Sequence, residues 1–402
     1  MNSYYELVKF EYRKILRKRS TIITLLLTVF LTAFSCVGPL MGNYYIKGEV
    51  LESNYDAMKK DREYIRGLSG REINSDILSE TIEAYSHIIP TDGKYTDTDE
   101  YQQYARPYSE IYYMIRKAYN INDLEEMSSL TKENLNDFYT TRQSMVEKNI
   151  EDTTMSSTEK ANSVNMSREV KTPFIYSYSG GYTRFFSQMY ITAILICFIC
   201  SVCIAPLFAG EYTDRMDSLI LSSKYGKNKI IYTKLFTGIS FSILLSIVLA
   251  VVSYIMVMTF YGCESGNSPI QFLLPLSIRP FTMRQVAMMY FVIILFGNIL
   301  STSLTMMLSA KLKSPFIVIV IMTVITIFPM FVNISEDVLW IYHLSNLIPV
   351  NMFYLDNITG IFSVDLFGLI LQPYELILVF AIVISVILLP FTYQNFKNHN
   401  CI

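Results

Sequence analysis

The placement of charge restricts this chain more than any other feature. Stretches without a single Asp, Glu, Lys, Arg or His, at about 22–40, 186–209, 236–260, 285–310, 315–332 and 376–391, alternate with charged segments. Each is close to the roughly 20 residues a helix needs to cross a bilayer core about 30 Å thick. Lipid offers no partner to a backbone N–H or C=O, so a crossing segment that is not part of a closed barrel is helical. The expected fold is therefore an all-α polytopic membrane protein. It has six transmembrane helices, an N-terminal amphipathic helix and a mainly helical extracellular domain. Composition agrees, with 51% hydrophobic and only 17% charged residues against about a quarter charged in soluble domains. The net charge of −2 says nothing about nucleic acid, but no basic domain is present to bind it, so none is expected as a partner.

Lys and Arg in the short flanks set the orientation. Residues 1–21, the 211–234 loop, the Lys311/Lys313 turn and the tail hold fourteen bases, whereas 261–284 holds only Arg279 and Arg284 and 333–375 holds none. Both termini are accordingly expected in the cytoplasm. The divisions are 1–21 (cytoplasmic connecting helix), 22–41 (first span), 42–185 (extracellular domain), 186–393 (spans two to six) and 394–402 (cytoplasmic tail). Within the fourth, 210–235 forms a cytoplasmic loop and 334–374 forms short outer helices. The 42–185 segment has no cysteine, which fits a multi-pass protein of a bacterial plasma membrane better than a eukaryotic secretory route. Cys197, Cys200 and Cys203 have metal-like spacing but no His or carboxylate neighbours in their apolar run, so packing is their expected role.

Residues 4–19 read as a helix with Tyr5, Val8, Tyr12, Ile15 and Leu16 on one stripe and Lys9, Arg13, Lys14, Arg17 and Lys18 opposite. Such a helix lies along an anionic inner leaflet, and no small-residue cleavage site follows to make it a signal peptide. In the outer domain, Asp97 with Glu100 and Ser156 with Glu159 have capping-box spacing. Tyr104, Tyr108, Ile111, Ile115 and Tyr119 share a helical face, as do Leu135, Phe138, Tyr139, Val146 and Ile150, with Arg142 interrupting the second set. The aromatic stretch 172–186 is expected at the outer membrane interface. Residues 333–375 are too apolar for full solvation and too broken by Pro349, Gly360, Gly368 and Pro373 to span. They should form short helices dipping into the outer leaflet, the first capped by Ser335.

Residues 208–235 carry three acids (Glu211, Asp214, Asp217) and five bases (Arg215, Lys224, Lys227, Lys229, Lys234) between two apolar runs. Residues 211–221 read as a short amphipathic helix presenting Met216, Leu219 and Ile220, and Gly226 supplies a turn. In the fourth span Gly297, Ser301, Thr305 and Ser309 recur every four residues, a spacing that lets another helix approach and hydrogen-bond in lipid. Ser242, Ser246 and Ala250 repeat the theme in the third. No ionisable group lies inside a span to serve as a proton relay, and no nucleotide-binding, metalloprotease or nucleophile-elbow motif occurs. Sodium coupling through Ser, Thr, Asn and backbone carbonyls stays open, but energy from another subunit is the expected source for uphill work, and a membrane enzyme is disfavoured.

These features together resemble the ABC-2-type permeases, the membrane subunits of ATP-binding-cassette exporters. The resemblance covers the whole layout, including the large outer domain between spans one and two of Firmicute-like members. Its most specific match is FAGEY (208–212) after span two, followed by LILSSKYGKNKIIYTK (219–234). The resemblance implies that Glu211 belongs to a gate or coupling network and that Leu219, Ile220, Leu221, Lys224, Tyr225, Gly226 and Lys227 contact the ATPase. It places Lys234 at the base of span three. Asp214, Arg215, Met216, Lys224 and Tyr225 depart from the family's usual pattern. It further implies no cofactor in this chain, ATP and Mg on a partner ATPase, and pairing with a second copy or a sister permease in the bilayer. Export of a hydrophobic, lipid-like, peptide or drug substrate is the expected function. The alternative is an ATPase-linked module that senses or resists antimicrobial peptides through its outer domain.

Overall fold

The computed structural model describes residues 2–46, 49–88, 94–332 and 334–399. Helices α1 (Asn2–Leu16) and α2 (Arg19–Val37) precede a hairpin of β1 (Asn43–Ile46) and β2 (Glu49–Ser53). A helical domain follows, made of α3 (Asn54–Leu68), α4 (Ser75–Ser86), α5 (Ser109–Tyr119), α6 (Leu124–Ser128), α7 (Lys132–Asn136), α8 (Phe138–Glu151) and α9 (Ser157–Arg168). Next come α10 (Gly180–Ile204), α11 (Pro206–Thr213), α12 (Asp217–Ser222), α13 (Ile231–Tyr261), α14 (Met283–Lys311) and α15 (Pro315–Ile327). The chain ends with α16 (Leu339–Asn346), α17 (Pro349–Met352), α18 (Leu355–Thr359), a hairpin of β3 (Val364–Leu366) and β4 (Leu369–Leu371), and α19 (Pro373–Lys397). Neither hairpin was expected from sequence, where each is too short to show a two-residue period.

Five helices among the described residues are long and apolar enough to cross a membrane, at Arg19–Leu40, Gly180–Thr213, Gly226–Tyr261, Met283–Lys311 and Pro373–Lys397. In α10 67% of the apolar window is buried and in α14 56%, against 22–28% for the other three. These two helices therefore form the centre, and the others present apolar faces outward. The central seam uses the expected small residues. Ser301, Thr305 and Ser309 are fully buried, and the Thr305 hydroxyl lies 3.4 Å from that of Ser201 on α10. A Cβ on Gly297 would stand 2.5 Å from the Phe353 ring, so the absence of a side chain there makes room for the aromatic. The Cys197 thiol faces Ser301, and that of Cys200 faces Ser242 and Thr302, joining α10 to α13 and α14.

The expected fifth span is a 17-residue apolar helix, Pro315–Phe331, shorter than the other five. Its thirteen α-helical residues and four-residue tighter turn reach roughly 28 Å at about 1.5 and 2.0 Å per residue. The short helices descend toward it. Phe353, just beyond α17, packs on Gly297 midway along α14, and its carbonyl accepts from the Tyr290 hydroxyl. The start of the first short helix differs from expectation, because Ser335 binds the Asp337 backbone and α16 begins only at Leu339.

The helical domain is not a separate bead. One hydrophobic core runs from Ile77, Ile111, Ile115 and Phe138 through Phe174, Tyr176 and Tyr178 to Phe185 and Tyr290. This corrects the interface reading of 172–186. In the extended stretch 174–178, alternate side chains share a face, and Phe174, Tyr176 and Tyr178 are buried against protein while Ile175 is exposed. Backbone bonds pair this stretch with residues 70–73. The interruption at Arg142 has a purpose as well: its buried guanidinium donates to the carbonyls of Pro275 (2.7 Å) and Ser277 (2.9 Å), fixing α8 to the 262–282 connection. Ser156 and Glu159 form the expected capping box. Thr98 rather than Asp97 accepts the Tyr101 N–H.

Glu110 on α5 accepts from Ser179, the residue before α10, at 2.8 Å, and the buried Tyr176 hydroxyl faces the same carboxyl. Burial pushes this carboxyl from the ordinary 4.5 up to about 7. Between those pH values the folded chain keeps a proton that the unfolded chain has released, so stability falls as pH rises. The loss is about 3 kcal/mol from pH 4.5 to 7.5, complete above pH 7. Unfolding measured across that range should show the decline, and Glu110→Gln should flatten it; an equal slope in the variant would remove Glu110 as its source.

Candidate functional site

The candidate site lies at the end of the bundle where both termini gather with the loop between α11 and α13. Glu211, on α11, sits between two ammonium groups, Lys14 on α1 and Lys234 on α13, each 2.5 Å from the same carboxyl oxygen. Lys234 also meets Glu11 at 3.1 Å and donates to the Leu207 carbonyl at 3.0 Å. Lys234 has no exposed surface and Glu211 only 2%. Two carboxylates and two lysines thus tie three helices together where water is excluded. Opposite charges under those conditions attract strongly, but each must retain its partners. Lys18 stands at the edge of this cluster, its ammonium pushed below the ordinary lysine range by burial and then by neighbouring Lys14.

Pro206 interrupts the helix above Glu211, and a proline leaves backbone groups of the adjoining turn without intrahelical partners. Ser309 of α14 supplies them from across the seam. Its hydroxyl donates to the Ala205 carbonyl at 2.6 Å and accepts from the N–H groups of Phe208 (3.1 Å) and Ala209 (2.9 Å). Tyr212 donates to the Ala310 carbonyl at 2.7 Å. The last of the four small residues is therefore a cap as well as a packing position, and it joins α11 rigidly to the end of α14.

The single amphipathic helix expected over 211–221 is two pieces. Glu211 lies in α11, which ends at Thr213, Arg215 takes a left-handed conformation (φ 56°), and α12 starts at Asp217. The long helices also run further than their apolar cores, so residues 214–225 alone lie outside the candidate spans. Leu219 is 62% exposed, and Met216 and Tyr225 are about half exposed. Lys224 and Lys227 are exposed as well, Ile220 is half-buried and Leu221 faces inward. Gly226 is buried in the wide turn leading to α13, where an added Cβ would fall 1.5 Å from the Ile220 carbonyl oxygen. The nine residues expected to act together are thus divided. Glu211, Leu221, Gly226 and Lys234 form the mount, and Leu219, Lys224, Tyr225 and Lys227 form the presented surface, with Ile220 between them.

Further members come from elements distant in sequence. On α1 the protein-facing side is Glu11, Lys14 and Ile15, while Tyr5 and Leu16 of the expected stripe point outward. Glu11 carried a usable signal, as an acid one turn from Ile15 in a helix otherwise rich in bases. From α19, the Tyr393 hydroxyl reaches the Lys227 carbonyl (3.0 Å) and the Asn228 side chain (2.8 Å). His399 stacks on Tyr212 and lies 3.6 Å from Asp217. Nothing local in the tail announces these contacts.

No group of three His, Cys, Asp or Glu side chains among the described residues could hold a metal ion. The arrangement is mechanical: a short exposed helix and basic turn on a mount that contacts α1, α13, α14 and α19. A family model described as "ABC-2 family transporter protein" matches residues 5–388. No curated protein and no solved structure matched the chain.

Proposed function

This chain belongs to the ABC-2 transporter family, and from that premise we propose that it is the membrane subunit of an exporter driven by a separate ATP-binding-cassette ATPase. Permeases of this family normally partner with such an ATPase. The observation that carries the reading is the exposed Leu219, Lys224, Tyr225 and Lys227 surface standing on the buried Glu211–Lys234 network. A push on α12 is delivered to α11 and α13, and through Ser309 to the central helix α14, because charged and capped contacts resist deformation at that end. ATP and Mg belong on the partner, and this chain contributes the passage.

The fourteen flanking bases support a cytoplasmic position for the terminal end, with the helical domain outside and Pro315–Phe331 as the fifth of six crossings. A hydrophobic, lipid-like, peptide or drug substrate suits a passage between the mostly apolar helices of the bundle. Two copies, or this chain with a sister permease, would pair over two ATPases. Leu219→Asp, or Lys224→Glu with Lys227→Glu, is expected to reduce ATPase co-purification at least several-fold. Membrane insertion should be unchanged, since all three side chains are exposed. Undiminished recovery of the ATPase with both variants would count against this surface as its contact.

A further inference from the structure

The crevice between α1, α13 and α19, at the same end of the bundle, has a volume of about 760 Å³, within the range of small-molecule sites. Its lining is graded. Phe236, Ile239, Leu389 and Pro390, further along the bundle, form an apolar floor, while Gln394, Lys397 and Asn398, near its end, form a polar rim. From Leu389 to Lys397 the helix advances roughly 12 Å, so the apolar floor and polar rim are separated along the bundle axis. The lining contains one base and no acid. On α1, Tyr4 joins this lining, and exposed residues of the same helix include Tyr5, Phe10 and Leu16 with Lys9, Arg13 and the acid Glu6, followed by Arg17.

We propose that this crevice binds one anionic glycerophospholipid of the adjoining leaflet, with an acyl chain between Ile239 and Leu389 and its phosphate beside Lys397. A protein partner would need to bury apolar side chains in a slot whose mouth faces the headgroup layer. A zwitterionic lipid would fill the floor equally, but its own ammonium offsets its phosphate, so it gains less from a lysine in a lining without acids. Occupancy bears on the coupling surface, because Tyr393 of the crevice wall is the residue that holds Lys227 and Asn228. A lipid that steadies Tyr393 steadies the basic turn. The site rests on the chain being membrane-embedded and does not depend on the identity of its ATPase or substrate.

Native mass spectrometry of the purified full chain, titrated with phosphatidylglycerol or phosphatidylcholine, tests this. One retained phosphatidylglycerol per chain is expected, with about fivefold preference over phosphatidylcholine, the effect of one lysine at an anionic headgroup. Lys397→Glu, an exposed position, should abolish the preference, and Ile239→Trp should block retention of both lipids. If Ile239→Trp fails to fold, Leu389→Phe fills the same floor. Equal retention of the two lipids by the unaltered chain, or unchanged preference in Lys397→Glu, would overturn the proposal. So would crevice occupancy by a second copy of the chain in place of lipid.

Discussion

Replacing Lys234 with methionine is expected to lower the unfolding free energy by about 3–5 kcal/mol, the usual cost of removing one partner from a buried ion network. Methionine keeps most of the lysine stem's volume, so the loss reports charge rather than a cavity. Glu11 would lose the only cation it contacts within this network, and Glu211 would keep Lys14 alone. Thermal or denaturant unfolding of the purified chain in detergent measures the loss. Adding Glu11→Gln to Lys234→Met should recover part of it, because the carboxylate left without its cation is then neutral while Glu211 keeps Lys14. A single-variant loss below about 1 kcal/mol, a surface ion pair's contribution, would show that this cluster is hydrated and not a rigid mount.

Arg279→Met is expected to cost on the order of 3 kcal/mol or more, from buried carbonyls and an amide left unbonded. The fully buried guanidinium donates to the carbonyls of Thr359 (3.3 Å) and Gly360 and to the side chain of Gln372. It thereby joins the 262–282 connection to the end of α18 and the start of α19. Burial lowers its pKa to about 10, leaving it charged at neutral pH. Arg279→Lys should not rescue, since an ammonium cannot span three acceptors in the fixed fork of a guanidinium. Hydrogen exchange should rise across 355–372 while α2 and α13 stay protected. Unchanged exchange at 355–372 would mean that the apolar contacts of Phe353 and Phe362 hold this region without the arginine.

Both positions show where local reading stops. Arg279 entered the sequence argument only as one of two bases counted for orientation, yet it is among the largest fully buried side chains. Arg142 was an interruption in an apolar stripe until α8 was seen against Pro275 and Ser277. Glu211 and Lys234 were each singled out, but as a gate residue and a helix boundary, without the bond between them. In the 172–186 stretch the chemistry was read correctly and the neighbour wrongly. Aromatic residues suit a membrane interface and a protein core alike, and only the packing of α5, α8 and the 70–73 segment selects the core.

The sequence by itself determined the helical class, the apolar segments, the helical domain between the first two of them and the small-residue seam of α14. Each of these depends on residues within a few turns of one another, where periodicity and capping act directly. It also marked 208–235 as exceptional, because acids and bases crowded between apolar runs are visible in composition alone. Only the tertiary structure decided which charges meet, which face of α1 is buried, that Ser309 repairs the break at Pro206, and that short helices descend to meet α15. Those outcomes join residues up to 223 positions apart, as in Glu11 and Lys234. In a low-dielectric interior, a charge or an unpaired backbone group takes whichever partner the packing of whole helices brings within about 3 Å.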